Sequence, residues 1–146
     1  MTDQQTPSAT TIGMRIVISL DTHALIWWVN GDPMSARATS AMAAELQGGE
    51  IAISSITAWE IAMLTARGRL SLSIDVAIWL AAIQQIERVR FVAIDNEIAV
   101  NAVELPGEFH KDPADRLIVA TARKLGVPIV TADEKIKGYP HVRTIW

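Results

Sequence analysis

Apolar positions along this chain come as short runs separated by longer stretches with a helical repeat. Residues 15–20, Arg15-Ile16-Val17-Ile18-Ser19-Leu20, read as a first strand. Thr22 to about Val29 follows as a helix rich in apolar residues, and Gly31-Asp32-Pro33 turns the chain. Ser35 caps a second helix running to about Leu46, which Gly48-Gly49 breaks. Residues 50–53 make a second strand. The helix from about Ile56 to Ala66 ends at the C-cap signal Arg67-Gly68-Arg69. Asp75 to about Ile86 is a further helix with Val76, Leu80 and Ile83 on one face. Residues 90–93 form a short third strand, and Asp95 caps a helix ending near Leu105-Pro106. Asp112-Pro113 opens the next helix, which stops at Leu125-Gly126. Strands at about 128–131 and 142–145 close the chain around a turn containing Gly138-Tyr139-Pro140.

Strands alternating with helices predict an α/β fold: a short, mostly parallel central sheet with helices on both faces. The ligand crevice of such a sheet lies beyond the carboxyl ends of its strands. There is no internal repeat. Residues 1–13 are polar, small and aperiodic and read as a disordered leader, with the folded domain at 14–146. The leader lacks the basic start, apolar stretch and cleavage pattern of a signal peptide. Met14 directly precedes the first strand and is read as the natural start.

Composition narrows the class. At 146 residues, half of them apolar, the chain is one domain with a generous core. No apolar run approaches the roughly 20 residues that span a bilayer, so no membrane association is expected. Cysteine is absent, which removes thiolate nucleophiles, disulfides and cysteine-type zinc sites and suits a reducing, cytoplasmic setting. The net charge of −3 does not advertise nucleic-acid binding, though a global balance can hide a local patch. Arg67, Arg69, Lys111, Arg116, Lys135 and Lys137 lie near the acidic motifs in sequence; ordinary solvated surface charge explains each of them equally well.

The acids carry the candidate chemistry. Asp21 closes the first strand, Glu60 follows the second within Ser-Ile-Thr-Ala-Trp-Glu-Ile-Ala, Asp112 and Asp115 open a helix, and Asp133 follows the fourth strand. Singly, each is explained as a helix cap: Asp21 before the first helix, Asp112 and Asp115 around Pro113, and Asp133 before the segment after it. Glu60 stands at capping-box spacing from Thr57. Jointly they are harder to explain that way. Parallel strands would bring these ends to one edge, where two unit charges about 4 Å apart repel by roughly 4 kcal/mol at an effective dielectric of about 20. A hard cation held by oxygen ligands offsets that repulsion. Only His23 and His110 lie near the acids, and they read as helix-start or surface residues, so the donor set favours Mg²⁺ or Mn²⁺ over zinc.

Leu-Asp-Thr-His-Ala-Leu-Ile-Trp-Trp, Ser-x-x-x-Trp-Glu-Ile-Ala, Gly-Arg-Leu-x-Leu, His-x-Asp-Pro-x-Asp-Arg-Leu-Ile-x-Ala-Thr-Ala and Val-Thr-Ala-Asp, in that order, closely resemble the PIN-domain family. Within it they are similar to the VapC-type toxins of bacterial toxin–antitoxin pairs, over residues 15–146. The resemblance implies a three-layer PIN-like fold and an Mg²⁺- or Mn²⁺-dependent ribonuclease. It assigns the acid cluster to Asp21, Glu60, Asp115 and Asp133, as both catalytic and metal-holding residues. Asp112 is placed at the rim or as a cap. Thr131, Thr22 and Arg116 accompany the cluster in supporting positions. The two threonines can orient a water or a phosphate oxygen, although a hydroxyl bonded to backbone at a strand end explains them more simply. The resemblance also implies an RNA substrate, a homodimer, and a cognate antitoxin whose segment lies in a helical groove.

Two other enzyme classes fit poorly. A haloacid-dehalogenase-type phosphatase wants a second aspartate two residues after the first, where this chain has His23. A receiver domain would use Asp95 and leave Glu60 and the Asp-Pro-x-Asp-Arg helix unexplained. A catalytically silent metal- or partner-binding module is the alternative from a different class. The five tryptophans, Trp27, Trp28, Trp59, Trp79 and Trp146, are expected to be core or interface aromatics rather than base-stacking platforms.

Overall fold

The structure, a computed structural model, describes residues 15–146. The leader at 1–13 and the proposed start at Met14 lie outside the described residues. Five strands, β1 (Ile16–Leu20), β2 (Glu50–Ser54), β3 (Val89–Val92), β4 (Ile129–Val130) and β5 (Thr144–Ile145), form one sheet in the order β3-β2-β1-β4-β5. Every neighbouring pair is parallel. The chain builds outward from β1 to β2 and β3, then crosses back to add β4 and β5 on the other side. β1 is therefore the point where strand order reverses.

The helices are α1 (Thr22–Asn30), α2 (Ala36–Gly48), α3 (Ile56–Ala66), α4 (Val76–Gln84), α5 (Asn96–Val103), α6 (Pro113–Leu125) and the short α7 (Glu134–Lys137). They cover the sheet with two apolar clusters. Leu25, Met42, Ile61, Trp79 and Ile83 pack with Ile18, Leu20, Ile51 and Ile53 in one. Ile98, Ile118, Val119, Ile129, Ile136 and Tyr139 form the other. A parallel sheet needs both faces covered, and the central strands β2 and β4 and the end of β1 are buried, while the edge strands β3 and β5 are not. Among the described residues no helix is long and apolar enough to cross a membrane.

The α/β expectation holds, and the differences from it are local. β4 and β5 are two residues each rather than four, and Pro128, with no N–H, cannot extend β4 backwards. Helix α2 runs through Gly48, and the chain turns at Gly49, where a Cβ would collide with Val17. The register between β1 and β2 slips there, between Ile16 and Ile18. Trp79 is buried and Trp27, Trp28 and Trp146 are half-buried, with the Trp27 and Trp146 rings 5.4 Å apart. Trp59 departs from that expectation: it is 57% exposed.

Candidate active site

Asp21 stands where β1 gives way to α1, with extended backbone (φ −80°, ψ 176°), and it caps the helix by accepting from the Ala24 amide at 2.9 Å. Its other carboxylate oxygen accepts from the Thr131 hydroxyl, at the end of β4. Thr131 in turn accepts from the Asp133 amide at 3.0 Å, while Asp133 caps α7 by accepting from the Lys135 and Ile136 amides. Strand pairing between β1 and β4 thus sets Asp21 and Asp133 side by side through one threonine.

Glu60 lies on α3, in its second turn. The capping-box reading of Thr57 and Glu60 does not hold, because the helix begins at Ile56 and its N-cap is Ser55. The buried Thr57 hydroxyl instead lies 3.0 Å from that of Thr22, and Thr22 donates to Glu60 at 2.5 Å. Thr22 is therefore bonded to side chains alone, whereas Thr131 bonds both an acid and, as the simpler reading expects, backbone at the strand end. Asp112 caps α6 with Pro113 at its first position, accepting from the Asp115 amide at 3.0 Å, as its sequence context predicts.

Their charges act on one another. Burial pushes Asp21 up from the ordinary aspartate range, against the bonds from Thr131 and Ala24, with the Asp133 charge adding to the rise. Burial likewise raises Glu60, opposed by its bond from Thr22 and reinforced by Asp112 and Asp21. Asp115 is pushed up to about 7, first by burial and then by the charges of Asp112, Asp133, Glu60 and Asp21. All five acids are thus within electrostatic reach of one point at the carboxyl end of the sheet. Among the described residues no lysine or arginine forms an ion pair with any of them.

Arg116 is turned to a different use. Its guanidinium donates to the carbonyls of Ala102, Val103, Phe109 and His110 at 2.8–3.1 Å. It fastens the end of α5 and the following loop to α6 and spends its donors on backbone. That loop delivers His110, whose Nε2 lies 3.0 Å from Asp115 Oδ2. The approach is close but outside hydrogen-bond geometry, and Nε2 is buried with no hydrogen-bond partner. His110 is thus more than a surface residue, as the His-x-Asp-Pro-x-Asp spacing, five residues before Asp115, could have suggested. His23 is exposed at the start of α1, as expected there, and its charge draws Asp21 and Glu60 downward.

The donor set fits a hard divalent cation: oxygen ligands from several elements, with Asp21, Glu60 and Asp115 raised in pKa first by burial and then by neighbouring carboxylates, and no thiolate. The acids do not close into a shell on their own, and among the described residues no three acidic or histidine side chains converge tightly enough to hold an ion.

Residues 18–142 match the PIN domain family. The chain is 38% identical over 131 residues to Ribonuclease VapC22 of Mycobacterium tuberculosis, covering 88% of this chain and 98% of that protein. Among solved structures, VapBC2 from Rickettsia felis bound to a promoter DNA fragment is similar, with a TM-score of 0.64 and 19% identity over 88% of this chain and 96% of that one. A toxin–antitoxin complex from Klebsiella pneumoniae gives 0.58 and 23% over 86% and 94%. VapC20 of Mycobacterium tuberculosis, a sarcin–ricin-loop-cleaving toxin, gives 0.56 and 22% over 86% and 98%. At such identities these structural likenesses speak for the fold.

Proposed function

This chain belongs to the PIN-domain family, in its VapC branch, and from that premise we propose that it is the endoribonuclease toxin of a toxin–antitoxin pair. It hydrolyses RNA phosphodiester bonds with Mg²⁺ or Mn²⁺. The observation that carries the reading is the gathering of Asp21, Glu60 and Asp133 at the carboxyl edge of the sheet through Thr22 and Thr131, with Asp115 beside them and no lysine or arginine paired to any of the four among the described residues.

Asp21 and Asp115 would hold the ion directly, Glu60 would act through it or its water, and Asp133 would complete the set. The chemistry such an ion supplies is a lowered pKa for the attacking water and an offset for charge growing on the phosphoryl oxygens. The protein's share is orientation. Thr131 and the Ala24 amide fix the Asp21 carboxylate, and Thr22 fixes Glu60. The Asp112 cap sets the first turn of α6, and with it Asp115. Carboxylates already aimed by these bonds need less rearrangement when ion and substrate arrive.

The partners follow from the family and gain support from the surface. A cognate antitoxin is supported by the relatives solved as toxin–antitoxin complexes and by an apolar hollow of about 280 Å³ between α1 and α2, lined by Trp28, Met34 and Met42. A homodimer remains part of the proposal. Purified protein, freed of any bound partner, should cut mixed RNA with Mn²⁺ and stop cutting with chelator, and Asp21→Asn or Asp115→Asn should abolish cleavage. Full activity in both variants would rule out the assignment.

A further inference from the structure

Beside the acids lies a cleft of about 450 Å³ that their chemistry does not use. Its apolar walls are Trp59 and Met63 on α3, Ile94 after β3 and Pro113 at the start of α6, and Glu60 and Asp112 stand at its edge. Trp59 directly precedes Glu60 in sequence and is more than half exposed, unlike the other four tryptophans. Exposed within an apolar cleft, its ring offers a flat stacking surface. Any RNA strand whose scissile phosphate reaches the acids must also place the base of a flanking nucleotide within a few ångströms. The apolar cleft that shares Glu60 and Asp112 with the acids is the surface available to it.

We propose that this cleft is a nucleobase subsite, in which an unpaired base flanking the scissile phosphate stacks on Trp59 over Met63 and Ile94. The inference rests on the ribonuclease reading and adds a residue that positions the substrate, Trp59 beside Glu60. Stacking on an aromatic tolerates any base, whereas a base held in a duplex cannot reach the cleft.

The test compares wild type, Trp59→Ala and Trp59→Phe on a short single-stranded RNA of mixed sequence with Mn²⁺. Binding of the same RNA, and of a base-free ribose-phosphate chain of equal length, is measured in chelator by fluorescence anisotropy. Trp59→Ala should raise KM and weaken RNA binding about ten- to a hundredfold, the scale of one lost aromatic stack, with kcat little changed. Trp59→Phe should recover most of the loss, and the base-free chain should bind all three proteins alike. Equal RNA binding by wild type and Trp59→Ala overturns the subsite. So does an equal loss on the base-free chain. Conversion of a dimer to a monomer by Trp59→Ala, with RNA affinity restored at concentrations where it dimerises, assigns Trp59 to an interface instead. If wild type binds RNA but cuts none with Mn²⁺, the ribonuclease reading fails, while the binding comparison still decides the subsite.

Discussion

Asp95 and Asp21 occupy equivalent places in the chain pattern, each the first acid after a strand and each the cap of the helix that follows. Asp95 accepts from the Ile98 amide at 2.8 Å and Asp21 from the Ala24 amide at 2.9 Å. Their electrostatics point in opposite directions. Asp95 is exposed, and Lys124 reaches it from α6 with Nζ 2.6 Å from Oδ2, a bond that holds its carboxyl below the ordinary range. Asp21 is buried beside other acids, and burial pushes it upward. The helix that sends Lys124 to one corner presents Asp115 to the other. A helix cap is common to both corners, so the cap cannot be what marks a site. The difference is that the chain pairs one acid with its own lysine and, among the described residues, pairs no lysine or arginine with the others.

Exchanging the acids for amides breaks this comparison most severely. Asp21→Asn or Asp115→Asn should lower metal-dependent RNA cleavage at least about a hundredfold, while Asp95→Asn stays within about threefold of wild type. Comparable losses from all three, in a cleavage assay on the same RNA, would erase the distinction between the corners.

His110 sharpens it next. Removing an outer partner of a metal-holding group typically lowers affinity about tenfold or more. His110→Ala should weaken Mn²⁺ binding by that amount, and His110→Gln should recover part of it in the same titration. Arg116→Ala, which strips the donors from four backbone carbonyls, should cost about 2–4 kcal/mol of stability by urea unfolding, with little rescue from lysine.

Acidity reads the same contrast without RNA. Asp115 sits at about 7 in the fold against 3.8 for the ordinary group, so the folded chain keeps a proton that the unfolded chain has released. Its stabilisation is complete below 3.8 and is lost as pH rises through about 7. Without divalent cation, the Tm of wild type relative to Asp115→Asn should therefore fall by several degrees between about pH 5 and pH 8. Mn²⁺ should close or reverse the gap at the higher pH. A difference flat across that range would remove Asp115 from the repulsive cluster. The smallest effect concerns the leader: deleting residues 1–13 should leave Tm nearly unchanged by calorimetry.

Much of this site is legible in the chain because a parallel sheet puts strand ends on one edge. Knowing that Asp21 follows β1, Glu60 comes after β2 and Asp133 follows β4 is enough to bring them together. The pairings that orient them are not legible. Thr22 and Glu60 are 38 residues apart and Thr131 and Asp21 are 110 apart, and no local rule links a hydroxyl to a carboxylate across such distances. Arg116 shows the opposite failure. Its place beside Asp115 suggests a charge at the site, but a guanidinium at the start of a helix reaches backwards, and here it finds four carbonyls. Trp59 and Trp79 both stand on helices among apolar neighbours, and only the packed fold separates the exposed one from the buried one.

The central claim is that the acids at the carboxyl edge are left unneutralised so that a divalent cation can be held there. Calorimetric titration of Mn²⁺ into metal-free wild type, Asp21→Asn, Asp115→Asn and Asp95→Asn tests it directly. Saturable binding in wild type and Asp95→Asn, lost in Asp21→Asn and Asp115→Asn, is the predicted result. No saturable binding in wild type, or equal binding in all four proteins, would contradict it.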